Sequence, residues 1–144
     1  MRVSLILATK GREVTTIPPT TSIFDASRAL RSHGIGALVV SRTGEEIEGI
    51  ISERDIARSL ADHGERALVM LVQDLMTREV MTCTSTDTVE RLMSMMTEHR
   101  IRHVPVVEEG RLMGIISIGD VVKHRLGELE QEAQTLHDYL ESGR

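Results

Sequence analysis

The chain has no tryptophan, one phenylalanine (Phe24) and one tyrosine (Tyr139), so it offers no platform on which nucleic-acid bases could stack. A basic excess is missing too. The 17 Lys and Arg stand against 22 Asp and Glu, giving a formal net charge of −5, and no nucleic-acid partner is expected. The single cysteine, Cys83, rules out an internal disulfide and favours a reducing compartment. In MRVSLILATKG, residues 1 to 11, the apolar run is too brief for a signal sequence and far below the ~20 residues that span a bilayer. No membrane contact is expected, and the reading is of a soluble, cytoplasmic protein. Eight methionines take the place of the missing aromatics as adaptable core filler, three of them (Met93, Met95, Met96) in one predicted helix.

What the chain does have is a repeat. GIIS at 49–52 returns at 114–117, each time with an aspartate three residues after the serine, Asp55 and Asp120. The match extends upstream: residues 22–44 align with 88–110 at an offset of 66, and one extra residue in EEIEG resets the offset to 65. Each copy reads as a helix of 3.6 periodicity, a β-branched run (37–40; 104–107), a polar glycine turn, a second apolar run (47–51; 112–116) and another helix. Ser22, Thr88, Ser52 and Ser117 are candidate N-caps. With a strand before each first helix, the unit is β-α-β-β-α. About 60 residues with one helical layer do not enclose their own apolar face, so two such units are expected to pack together with pseudo-twofold symmetry. The expected divisions are 1–68, a first repeat with its N-terminal segment; 69–126, a short helix and the second repeat; and 127–144, a helical extension. Along that extension Leu126, Leu129, Ala133, Leu136 and Leu140 form an a/d stripe of two heptads, which suits either packing on its own domain or a contact between two chains.

A strand that ends in serine and runs into a helix sets the hydroxyl beside unpaired N–H groups, a place for an anion. A carboxylate one turn on is a good acceptor for a vicinal diol. Together they describe a nucleotide site. The same Ser-x-x-Asp is equally a capping box in which both side chains only satisfy backbone donors, and the residues alone leave both readings open.

The two Gly-Ile-Ile-Ser-x-x-Asp endings and the run HRIRHVPVV at 99–107 resemble a tandem pair of cystathionine-β-synthase (CBS) domains, the Bateman module, over about residues 10 to 126. The likeness is to the stand-alone bacterial type, with no enzyme or transporter domain attached. It implies an α/β fold, a disc-shaped homodimer, and two clefts between the repeats for an adenosine-containing ligand such as AMP, ADP, ATP, NAD(H) or S-adenosylmethionine, with no cofactor required. By that resemblance Asp55 and Asp120 would accept ribose hydroxyls, and Ser52 and Ser117 would help hold ribose or phosphate. Val14, Thr15 and Ile35 in the first copy, and Val80, Met81, Ile101 and Ile115 in the second, match base-lining positions. Arg102 and His103 match places where nucleotide-sensing members carry phosphate-touching basic residues; the first copy has Gly36 and Ala37 there. In the helix start, Glu53 and Arg54 replace Ile118 and Gly119, so an acid that repels phosphate is paired with an arginine that can offset it. The two clefts are expected to be unequal.

Catalysis finds little support. GIISIG lacks the glycine two places before the serine that a nucleophile elbow needs. His99 and His103 are four apart but straddle a predicted helix-to-strand turn, so no metal site is expected. Cys83 falls in a predicted strand without a partner thiol, as buried filler. The leading expectation is a non-enzymatic regulatory sensor acting on a partner protein. The alternative is a structural dimerisation scaffold with vestigial clefts, and a third, weaker reading is an enzyme that uses a nucleotide as substrate.

Overall fold

The computed structural model describes residues 1–143; residue 144, the last of the expected helical extension, lies outside the described residues. The first repeat runs β1 (Thr16–Ile17), α2 (Ile23–His33), β2 (Ala37–Val40), β3 (Gly49–Ser52) and α3 (Glu53–His63), preceded by α1 (Val3–Lys10). A 3-10 segment (Gly64–Val69) and the short α4 (Val72–Leu75) lead to α5 (Val89–His99), β4 (His103–Glu108), β5 (Arg111–Ser117) and α6 (Ile118–Ser142). In the first sheet β1 pairs parallel with β2, and β2 antiparallel with β3. In the second, β4 and β5 are antiparallel with an irregularity at Val106/Val107. The strand expected at the head of the second repeat shrinks to one parallel bridge, Cys83 to Val106. Its extension is cut off where Asp87 accepts from the Thr84 N–H (2.8 Å) and turns the chain toward α5.

The predicted caps are all present. Ser22 accepts from the Asp25 N–H and Thr88 from the Arg91 N–H, both at 3.1 Å. The repeat also holds at the level of single hydrogen bonds: the Glu53 N–H donates to the Gly36 carbonyl (3.0 Å), and its counterpart, the Ile118 N–H, donates to Arg102 (2.8 Å).

Core membership does not follow chain order at the leader helices. One core gathers Ile17, Ile23, Ala26, Leu30, Leu38, Val40, Ile51 and Ile56 from the first repeat, together with Val72 from α4. The other gathers Leu92, Met95, Met96, Val104, Val106 and Ile116 with Val3, Ile6 and Leu7 from α1. Each leader helix therefore closes the core of the repeat it does not precede, and the N-terminal segment assigned by sequence to the first repeat packs on the second. Two glycines make room for this exchange. A Cβ on Gly49 would stand 2.6 Å from the Met76 sulfur and 2.9 Å from the Thr77 carbonyl oxygen, and one on Gly114 would stand 2.6 Å from a Leu7 methyl.

Cys83 is buried, and burial with the nearby Asp87 carboxylate pushes its thiol up to about 12, so it stays protonated and inert, as filler should. Along α6 only Val121 is buried, while Leu126, Leu129, Leu136 and Leu140 are 47 to 59% exposed. The apolar stripe thus does not pack on its own chain. Among the described residues no helix is long and apolar enough to cross a membrane.

Gly49→Ala drives a methyl into backbone and is expected to lower stability by about 2 kcal/mol, whereas Gly114→Ala meets only the end of a flexible leucine and should cost less than about 1 kcal/mol in denaturant unfolding.

Candidate functional site

Both Ser-x-x-Asp motifs form complete capping boxes of nearly equal geometry. Asp55 Oδ2 accepts from the Ser52 N–H (2.9 Å) and hydroxyl (3.0 Å), and the Ser52 oxygen accepts from the Asp55 N–H (3.3 Å). At Ser117 and Asp120 the same three distances are 2.8, 2.9 and 3.2 Å. Each serine hydroxyl is thereby engaged by its own helix start, which is the capping reading of the motif. The second carboxylate oxygen, Oδ1, takes no part in either box.

Asp55 lines a cavity of about 380 Å³ at the junction of the repeats. From the first copy it receives Gly36, Ala37, Ser52 and Arg54, and from the second Val80, Met81, Ile101, Arg102 and His103. The acid of one copy thus meets the leading segment and strand edge of the other. Val14, Thr15, Ile35, Ile115, Ser117, Gly119 and Asp120 do not line this cavity; Val14, Thr15 and Ile35 are half-buried and Gly119 is exposed. The rim adds residues that sequence reasoning did not count as ligand contacts: Ile50, Glu53, Arg58, Thr77, Glu79, His99 and Arg100. Arg58 was findable, because it lies three residues after Asp55 on the same face of α3. Arg100 also left a signal, since it stands where the first copy has Gly34. Both end their helices in the left-handed region, Gly34 at φ 62° and Arg100 at φ 53°, a conformation that costs a side-chain-bearing residue roughly 1–2 kcal/mol. Four guanidinium groups (Arg54, Arg58, Arg100, Arg102) face three carboxylates (Glu53, Asp55, Glu79) around the cavity, so its rim is net cationic although the chain is acidic.

Asp120 has a different neighbour. The Lys10 ammonium lies 2.6 Å from its Oδ2 and donates to the Ile115 carbonyl at 2.7 Å. Burial pushes the Asp120 carboxyl up, but the Lys10 ammonium and the Ser117 donors outweigh it and hold the acid below its ordinary value of 3.8. His103 senses both copies. Its imidazole sits against Gly36, where a Cβ would be 3.2 Å away. Burial lowers its pKa from 6.5, Lys10 and Arg102 add to the lowering, and the carboxylates of Glu53 and Asp120 oppose it.

The family model for the CBS domain matches residues 8–62 and 72–127. A mitochondrial CBS domain-containing protein of Arabidopsis thaliana, CBSX3, is 39% identical over 126 residues, covering 85% of this chain and 61% of that protein. The chain thus spans less than two thirds of that relative. Among solved structures, the CBS-domain containing protein ATU1752 of Agrobacterium tumefaciens is 46% identical with a TM-score of 0.85, over 87% of this chain and 99% of that one. The CBS domain pair of protein MJ0100, crystallised with 5′-methylthioadenosine and S-adenosyl-L-methionine, is 28% identical with a TM-score of 0.76, covering 85% of this chain and 98% of that one. The chain belongs to the CBS-domain family and carries two copies of the domain.

Arg100→Gly relieves the left-handed backbone at the end of α5 and is expected to raise stability by about 0.5–1 kcal/mol in thermal unfolding, after the extra chain entropy of glycine is subtracted.

Proposed function

We propose that this CBS pair is a non-enzymatic regulatory sensor that binds an adenosine-containing ligand, AMP, ATP or NAD(H), in the cavity at Asp55. One observation carries the reading. Asp55 lines a junction cavity with an unengaged carboxylate oxygen, between apolar side chains (Val80, Met81, Ile101) and a set of arginines. An acceptor for a diol, apolar walls for a base and cations for phosphate then lie around one space. The adenosine derivatives held by the MJ0100 pair support it. In this reading Asp55 accepts the ribose hydroxyls, Arg102 and His103 meet the phosphate, Arg54 offsets Glu53, and Gly36 and Ala37 leave the space small side chains leave. Ser52 contributes by fixing the acid. The exposed leucines of α6 would be covered by a second copy of the chain, and ligand occupancy would change which surface the homodimer offers a regulated protein.

The capping boxes favour a second reading, a dimerisation scaffold whose acids only hold helices. Thermal unfolding with a panel of adenosine compounds separates the two. At a ligand concentration of about 100 times Kd, a sensor gains roughly 2.7 kcal/mol; Asp55→Ala should abolish the gain, and the scaffold shows none with any compound.

The His103 pKa sets a pH signature. Its folded value is depressed, so the stability tied to the neutral ring is complete above about pH 6.5 and is lost as pH falls through the folded value. A phosphate beside the ring raises that value, so binding takes up a proton. Calorimetric affinity for AMP is therefore expected to rise as pH falls toward about 6, with unliganded stability falling only below about pH 6.5, and His103→Gln should flatten both trends.

A further inference from the structure

In α6 the side that meets its own chain and the side that is apolar are opposite sides. With Leu126, Ala133 and Leu140 at heptad position a and Val122, Leu129 and Leu136 at d, the residues that α6 turns toward α1 (His124, Gly127, Glu128 and Gln131) fall at b, c and f. They line a cavity of about 810 Å³ between the two helices. Val121, the buried residue of the helix, is at c as well. Every a and d side chain from Val122 to Leu140 is exposed, Val122 at 50%. The stripe is therefore one layer longer than its leucines and alanine, and runs along about 28 Å of helix. An apolar row of that length left in solvent marks an interface.

We infer that α6 pairs with α6 of a second copy of the chain as a parallel, in-register coiled coil. The charges that flank the stripe select this arrangement. In a parallel pair each g residue meets the e residue five places further along the other helix, which joins Arg125 to Glu130 of the second copy and Glu132 to its His137, each pair occurring twice by symmetry. An antiparallel pair that stacks the same layers sets Leu126 against Leu136 and Val122 against Leu140. Glu130 then meets Glu130, Glu132 meets Glu132, and Lys123 meets His137. Single exposed pairs are weak, and Arg125 and His137 each hold an acid on their own helix already, Glu128 at 2.9 Å and Glu141 at 3.1 Å. The direction is set instead by the contrast between unlike and like charges over identical layers. A parallel pair brings both CBS pairs to the same end of the two helices, where α6 leaves β5. The inference rests on the homodimer in the reading above, and gives it an axis, a direction and a register.

Disulfide cross-linking of the full chain tests the direction, because the one native cysteine, Cys83, is buried and leaves an introduced thiol as the reactive one. When Val122→Cys and Leu140→Cys proteins are mixed and mildly oxidised, each is expected to cross-link with its own kind, as mass spectrometry of the products will read; a product joining position 122 to position 140 overturns the inference. Sedimentation equilibrium tests the interface. Leu136→Lys is expected to turn the dimer into monomer with its melting transition kept, since Leu136 is 59% exposed and outside both cores. Arg125→Glu should weaken the dimer about 3- to 30-fold, the scale of two exposed pairs turned repulsive, and adding Glu130→Arg should restore it. Positions 125 and 130 do not face each other on one helix, so that rescue acts between chains. A dimer that Leu136→Lys leaves intact, or an Arg125→Glu loss that Glu130→Arg does not repair, overturns the inference while the homodimer stands, and the stripe then belongs to a different partner. A native protein that sediments as a monomer overturns the homodimer and the inference together.

Discussion

Neither repeat closes its own core. A two- or three-stranded sheet with its helices leaves an apolar opening, and in each half that opening is sealed by a helix that precedes the other half: Val72 and the flanking Leu75 and Met76 over the first core, Val3, Ile6 and Leu7 over the second. This exchange ties the halves together at the cost of making them inseparable, since removing either leader exposes the other repeat's interior. It also fixes where the chain can bend. After sealing a foreign core, each leader must return to its own repeat past the strand that ends in Gly-Ile-Ile-Ser. The glycine of that phrase is there because a side chain would collide with the returning leader.

The junction cavity follows from the same exchange. The segment after α4 crosses the end of β3, with the Thr77 backbone paired to Ile50, and so carries Glu79, Val80 and Met81 to the helix start that Asp55 caps. The capping box does two things at once. It satisfies the first turn of α3, and it locks the carboxylate in one rotamer so that Oδ1 is left over at a defined place. Capping and ligand acceptance need not be rivals, because they use different oxygens of the same group.

Much of this was written in the sequence. The duplicated GIIS-x-x-D, the offset of 66 and the cap residues led to the fold, and most residues of the Asp55 cavity were named from the repeat and its family resemblance. What could not be read was which copy's acid meets which copy's rim. Periodicity reports a residue's face within its own element and says nothing of partners sixty residues away, so Val80 and Met81 could be assigned to the second copy but not to the acid they share a space with, Asp55. Membership of α1 in the second core was hidden for the same reason. A short apolar run such as VSLIL shows that it will be buried and leaves open against what. Lys10 was invisible as a site residue, because its importance lies in a contact 110 positions along the chain.

The unlike environments of the two acids can be traced to this crossed assembly. Because Asp55 faces the rim of the second copy, a substitution in that repeat is felt by the carboxylate of the first. The second copy's rim is basic, with Arg100, Arg102 and His103, and these line the cavity of Asp55. The first copy has the uncharged Gly34, Gly36 and Ala37 at the same positions. A carboxylate that is mostly withdrawn from water needs a compensating cation, and for Asp120 it comes from α1 as Lys10. The ion pair and the arginine-rich cavity are thus two answers to one requirement, that each helix-capping acid be balanced. At Asp55 the balance comes from arginines spread around a cavity, whereas at Asp120 it is a direct ion pair with the Lys10 ammonium, and that difference gives the two carboxylates unlike surroundings.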